Sequence, residues 1–174
     1  QTYDVQPHLI TLAKALGNGW PIAAVTSSKA ISDAFEHGDH FSTWGAHPVM
    51  CAAATATLDY LRHHRLWENA EAMGGLILKR LKEIEERYRI IGDVRGRGLM
   101  IGIEIVTDNK TKNPGREACI NIRKLCHDHG LIIGIGGFWS NVLRIQPPLI
   151  ITQDHVESAM TVLEAAVKNV EKEI

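Results

Sequence analysis

The segment from Leu9 to Val25 constrains the fold more than any other, because it runs from apolar strand to lysine, glycine turn and second apolar strand. Leu9 to Ala13 reads as a short buried strand and Ile22 to Thr26 as another, with Gly17-Asn18-Gly19 and Pro21 between them. Lys14 falls where the first strand meets the turn. An ammonium group near a core is costly to take out of water, so it needs a purpose. A desolvated lysine loses its proton readily and the neutral amine attacks carbonyls, so this is a place where a Schiff base with an aldehyde could form. Taken alone, the lysine reads as a solvated charge at a strand end, since buried lysines are rare and long side chains extend their heads to water.

Downstream the spacing turns helical. Ser28 can cap a short helix reaching about Glu36, and Pro48 suits the first turn of a helix from about Val49 to His63. An amphipathic helix is expected from about Leu66 to Tyr88, with Leu76, Leu78, Leu81 and Ile84 near helical spacing. From Gly92 strands and helices alternate. Leu99 to Val106 reads as a strand, Asp108 to Gly115 as a polar surface loop, and Arg116 to His129 as a helix stopped by Gly130. Leu131 to Ile135 and Asn141 to Ile145 read as strands about the Gly136-Gly137 turn, and Gln153 to Lys172 as a last helix with Thr152 as its cap. The fold class is α/β: residues 1–64 end one α/β domain, 65–91 form a linking helix, and 92–174 form a small α+β domain.

Composition narrows the partners. With 45% hydrophobic and 22% charged residues the chain is an ordinary globular one, and a formal net charge of -1 gives no footprint for nucleic acid. Cys51, Cys119 and Cys126 cannot all pair and none lies in Cys-x-x-Cys, so neither a disulfide framework nor a zinc ribbon is indicated. A reducing compartment fits, which makes the cytoplasm the expected location, or the mitochondrion if a leader precedes this chain. No apolar run has the length of a membrane span, so no membrane partner is expected. Cys126, His127 and His129, like His63-His64, lie at helical spacings that do not face one ion, and no metal is expected.

The stretch Pro7-His8-Leu9-Ile10-Thr11-Leu12-Ala13-Lys14-Ala15-Leu16-Gly17-Asn18-Gly19-Trp20-Pro21-Ile22-Ala23-Ala24-Val25 resembles the cofactor-lysine segment of the class III (omega) aminotransferases. Three further blocks resemble that family in the same order: Phe41 to Pro48, Gly92 to Met100, and Leu143-Arg144-Ile145-Gln146-Pro147-Pro148-Leu149. Gly17-Asn18-Gly19 and Val94 to Glu104 look most like its alanine-glyoxylate branch.

The resemblance implies a fold type I pyridoxal-phosphate-dependent transferase, with residues 1–64 the C-terminal part of its large cofactor-binding domain. It implies that Lys14 forms the Schiff base with pyridoxal 5′-phosphate and then moves the substrate proton, as an amino group passes from an amino acid or ω-amine to a 2-oxo acid. Thr43, assisted by Ser42, would hold the cofactor phosphate across the subunit boundary of a homodimer, and Arg144 would clamp the substrate α-carboxylate with its planar fork. Ala46 and His47 stand where the family has Gly and Asn, so a positive φ at Ala46 would be strained. Arg95 and Arg97 read as structural arginines beside a tight glycine turn. By the same resemblance the chain is the C-terminal part of a longer enzyme, without the family's glycine-rich phosphate loop, its ring-stacking aromatic residue or the aspartate that faces the pyridine nitrogen. Two alternatives stay open: a racemase or aminomutase using the same lysine, and a non-catalytic module or half of a split enzyme.

Overall fold

Strands β1 (Leu9–Leu12) and β2 (Ala24–Ser27) form an antiparallel pair, with Leu9 opposite Ser27 and Leu12 opposite Ala24. The computed structural model describes residues 3–173. These fall into two compact units, one ending at His64 and the other beginning at Arg65. Between β1 and β2, Lys14–Gly17 make a single 3₁₀ turn, closed by Leu16 N–H to Ala13 O (3.2 Å) and Asn18 N–H to Ala15 O (3.1 Å). Helix α1 (Lys29–Ser32) ends earlier than expected. Past it, Ala34 and Phe35 donate to carbonyls three residues back, and Asp39 Oδ2 takes the Glu36 N–H at 2.8 Å, a local bond that competes with helix continuation. Helix α2 (Pro48–His63) begins at Pro48, whose missing N–H is no loss in a first turn.

The first unit, a strand pair with helices α1 and α2, has little core of its own among its described residues. Leu9, Ile10 and Leu12 of β1 and Val25 of β2 are all exposed, and among the described residues before 65 only Gly17 and Ala54 are buried. The expected strand is therefore present, but the expected burial is not. A two-stranded pair presents two faces to be covered, and a ribbon alone supplies no layer for either.

In the second unit, helix α3 (Leu66–Arg87) leads into β3 (Ile91–Arg97), β4 (Met100–Ile105), helix α4 (Arg116–Asp128), β5 (Gly134–Gly136), β6 (Val142–Ile145) and helix α5 (Gln153–Glu171). The sheet is antiparallel throughout, in the order β3-β4-β6-β5. Its inner face carries Val94, Ile101, Ile103, Ile105, Leu143 and Ile145. Against it lie Ile77, Leu81 and Ile84 of α3, Cys119, Ile122 and Cys126 of α4, and Val156, Met160, Leu163, Val167 and Val170 of α5. These fall at spacings of three and four, the period of one helix face. Burying each large aliphatic side chain contributes about 1.5–3 kcal/mol, so this layer stabilises the whole unit.

Two strand expectations are corrected. Gly92 to Gly98, read as a tight turn, is mostly strand β3, and only Gly98 takes the left-handed conformation (φ 51°) that turns the chain into β4. The strand buries both Ile91 and Val94, three positions apart because the register shifts between Ile91 and Asp93. Leu131 to Ile135 contains a strand only from Gly134. Leu131 instead finishes α4: its N–H bonds Cys126 O (2.8 Å) and that of Gly130 bonds His127 O (3.0 Å), the paired bonds of a Schellman stop around Gly130 at φ 81°. Helix α3 contributes Ile77, Leu81 and Ile84 to this unit's core.

Candidate active-site residues

The end of β1 places Lys14 at the first position of the 3₁₀ turn with φ 53°, a left-handed conformation that glycine tolerates and lysine does not favour. Its side chain is exposed, so the shelter expected for this amine is absent from the unit. Nζ has no acid or hydrogen-bond partner among the described residues. Helix α2 packs on the turn that holds Lys14.

Phe41 to His47 lead into α2 as a chain of turns. Gly45 N–H donates to Ser42 O (3.2 Å) and His47 N–H to Trp44 O (3.3 Å). Ser42 and Thr43 are exposed, and neither hydroxyl has a hydrogen-bond partner among the described residues. Ala46 adopts φ 54°, the conformation at which alanine replaces a glycine only with strain. His47 goes beyond what its position suggested. Its ring lies 5.5 Å from that of Trp44, and its Nδ1 is buried without a partner, a polar atom that ordinarily needs a hydrogen bond. Trp44 was not singled out in the sequence; the signal was an aromatic residue three positions before the departure at His47.

Arg144 lies in β6, on the sheet face opposite the helices. The segment that follows, with Pro147 and Pro148, is tied to α3 by Asn69, whose Nδ2 donates to Leu149 O (2.7 Å) and Ile151 O (3.0 Å). Arg144 is exposed and has no carboxylate partner among the described residues. Arg95, on the same sheet face, differs: its Nη1 donates to Asp93 Oδ2 (2.6 Å) and Glu104 Oε2 (2.8 Å). Those two hydrogen bonds raise its pKa above the ordinary arginine value. Arg95 is thus the structural arginine expected.

The buried thiols of α4 are not reactive groups. Burial pushes Cys119 up to about 12 and Cys126 up to about 11, far from the range of a nucleophile at neutral pH. Among the described residues no three of His, Cys, Asp and Glu are gathered as a metal site, and no helix is long and apolar enough to cross a membrane. Lys14 and the Ser42–His47 turns belong to the first unit, and Arg144 to the second.

Comparison with known proteins places these residues in a family. The family model described as aminotransferase class-III matches residues 1–167. The chain is similar to alanine–glyoxylate aminotransferase 2 homolog 2, mitochondrial, of Arabidopsis thaliana, 38% identical over 157 residues, which are 90% of this chain and 33% of that protein. It is similar also to the alanine/serine racemase of Pyrococcus horikoshii, 41% identical over 167 residues, 96% of this chain and 35% of that one. Among solved structures, an aminotransferase of Bacillus anthracis superposes with a TM-score of 0.89 at 33% identity, covering 96% of this chain and 40% of that one. The chain spans about a third of the length of the curated relatives it matches.

Proposed function

This chain belongs to the class-III aminotransferase family, and from that premise we propose that it carries the amine, part of the phosphate grip and the carboxylate clamp of a transaminase. The observation that supports this most is Lys14, a non-glycine residue held at φ 53° with its ammonium unpartnered. Backbone in so sparsely populated a region collects at functional sites. Residues 1–64 would then be the C-terminal part of the large cofactor-binding domain, and the chain beyond the linking helix the small domain.

The residues present fit pyridoxal 5′-phosphate. A free amine on a turn suits its aldehyde. The unbonded hydroxyls of Ser42 and Thr43, just ahead of the N-terminus of α2, suit a phosphate that carries negative charge. When bound, this cofactor supplies an electron sink for the charge left on the substrate α-carbon. Lys14 Nζ takes the proton from that carbon and later returns one to the product, a role for a base positioned by a turn rather than a mobile loop. Thr43 Oγ1 donates to the phosphate with the Ser42 amide assisting, from one subunit of a homodimer to its partner. Arg144 holds the substrate α-carboxylate with two parallel N–H bonds, which orients the α-carbon for proton transfer. The substrates are an amino acid or ω-amine and a 2-oxo acid. A reducing compartment, cytoplasm or mitochondrion, accords with free thiols at Cys51, Cys119 and Cys126.

A second reading has support from the racemase of Pyrococcus horikoshii. The same lysine can return the proton to either face, giving inversion without an acceptor. Lys14→Ala should reduce turnover by at least about a hundredfold and abolish the pyridoxal adduct that borohydride fixes to the peptide containing position 14. Full turnover in that variant would overturn the assignment. Amino transfer only when a 2-oxo acid is supplied identifies the transaminase, and loss of optical activity without one identifies the racemase.

A further inference from the structure

The strand register sets Arg95, Gly102, Arg144 and Gly134 side by side in one row across the sheet face opposite the helices. The two arginines of this row are held in different ways. Asp93 and Glu104 fix Arg95 by charge. Arg144 has no such partner, yet its side chain has a definite course along the neighbouring strand β5. A Cβ placed on Gly136 would stand 2.8 Å from Arg144 Cδ and 3.1 Å from Nε, and one on Gly134 would stand 3.4 Å from both Nε and Nη2. At each of these glycines the three nearest atoms to such a Cβ all belong to Arg144.

Backbone conformation does not explain the glycines. Among the glycines of this hairpin only Gly137 is left-handed (φ 80°), whereas Gly134 and Gly136 take ordinary strand geometry that alanine adopts freely. The nearest atoms that an alanine side chain would meet there are those of Arg144.

We propose that Gly136, with Gly134 as the lesser partner, is a positioning residue for Arg144. Resting on the reading of Arg144 as the carboxylate clamp, this assigns β5 a task in substrate binding: its bare backbone leaves the channel in which the arginine lies. An arginine directed by an ion pair would spend its fork on that partner. One directed by the absence of a neighbouring side chain keeps all its donors for a substrate carboxylate. A methyl group at Gly136 closes the channel from beneath, at a distance real Cβ contacts do not show, and turns the guanidinium away from the course it now follows.

The test compares Gly136→Ala and Gly134→Ala in the complete enzyme, each alone and with Arg144→Ala. Gly136→Ala should raise the KM for the amino donor about tenfold with kcat at saturation kept within about twofold, and Gly134→Ala should have a smaller effect of the same kind. The Arg144 Nε–H signal in nitrogen-15 NMR should move in Gly136→Ala while the thermal midpoint stays put. In the Arg144→Ala background, adding Gly136→Ala should change KM no further. An unaltered KM in Gly136→Ala, or an equal change with and without Arg144, overturns the proposal. Should Gly136→Ala fail to fold, recovery of folding in the Arg144→Ala background supports the steric link, and failure in both backgrounds refutes it. Arg144→Ala with unchanged KM would remove the clamp itself, an outcome distinct from a clamp that matters and a glycine that does not.

Discussion

Residues 3–64 and 65–173 solve different problems with similar proportions of apolar residues. The second unit turns its aliphatic residues inward, so that Ile77, Leu81, Ile84, Ile103, Leu143 and Leu163 are essentially without solvent contact. In the first, Val25 is 69% exposed, Phe41 93% and Trp44 65%, and Ala54 is its only buried apolar side chain other than glycine. The unit with the proposed lysine and phosphate hydroxyls is thus the one whose order rests on local turns, one strand pair and helix α2. The unit with the proposed carboxylate clamp stands on a packed core. The residues proposed for chemistry in the first follow backbone held at an unusual angle, at Lys14, whereas Arg144 in the second is placed by strand register.

The widest separation expected between the units is in thiol reactivity. Cys119, pushed up to about 12 by burial, has a thiolate fraction at pH 8 of only about one in ten thousand, and it is closed to reagent as well. Cys51, partly accessible in α2, should titrate at once with a disulfide reagent, while Cys119 and Cys126 wait for unfolding. Rapid labelling of all three in the native protein would break the contrast. Next in size is a pair of truncations. Leu81→Ala should cost about 2–5 kcal/mol in urea unfolding, because it opens a cavity among fully buried neighbours. Leu12→Ala, at a side chain already 40% exposed, should stay within about 0.5 kcal/mol. Equal costs would mean that the first unit has a core after all.

The elements that sequence patterning located well are those whose buried face is set by their own period. Helices α3, α4 and α5 fall within a residue or two of their expected bounds, because Ile77-Leu81-Ile84 and Val156-Met160-Leu163 mark one face each. Strand β3 escaped notice because Gly92, Gly96 and Gly98 read as turn residues, although only Gly98 uses a glycine conformation. The burial of β1 was not legible either: an apolar strand states that it can be covered, and the covering layer is a matter of residues elsewhere. The positive φ of Ala46 was legible from an alanine standing where the resembling family has glycine. The buried Nδ1 of His47 and the glycine channel beneath Arg144 depend on register and on a turn, neither of which composition reveals.

A smaller effect sharpens the account of how the second unit is joined. Gly74 of α3 approaches the β3–β4 turn so closely that an added Cβ would overlap the backbone of Gly98, which has no freedom to retreat at φ 51°. Gly74→Ala should therefore destabilise by about 1–3 kcal/mol in chemical unfolding, despite alanine's better helix propensity. The neighbouring Gly75, where an added Cβ meets nothing within 4 Å, is the control. Gly75→Ala should be neutral or stabilising by up to about 1 kcal/mol, and a cost there equal to that at Gly74 would refute the contact.

The smallest effect tests whether exposure alone separates the two units. The loop after β4 is as open to solvent as the turns of the first unit, yet Asp108 Oδ1 accepts the N–H groups of Lys110 (2.9 Å) and Thr111 (3.0 Å). These bonds, Thr111's first, hold its carboxyl below the ordinary aspartate value. With the folded pKa lower than the unfolded one, the stabilisation is fully present above the unfolded value and disappears as pH falls through the folded one. Asp108→Asn keeps an acceptor oxygen but removes the charge, so the stability gap between wild type and variant should be open at pH 6 and narrow as the pH falls below the ordinary aspartate value. Urea midpoints across that range read this directly. A gap that persists unchanged into acid would mean that the loop is ordered by Lys112, whose Nζ donates to Gly92 O at 2.6 Å, and not by the carboxylate.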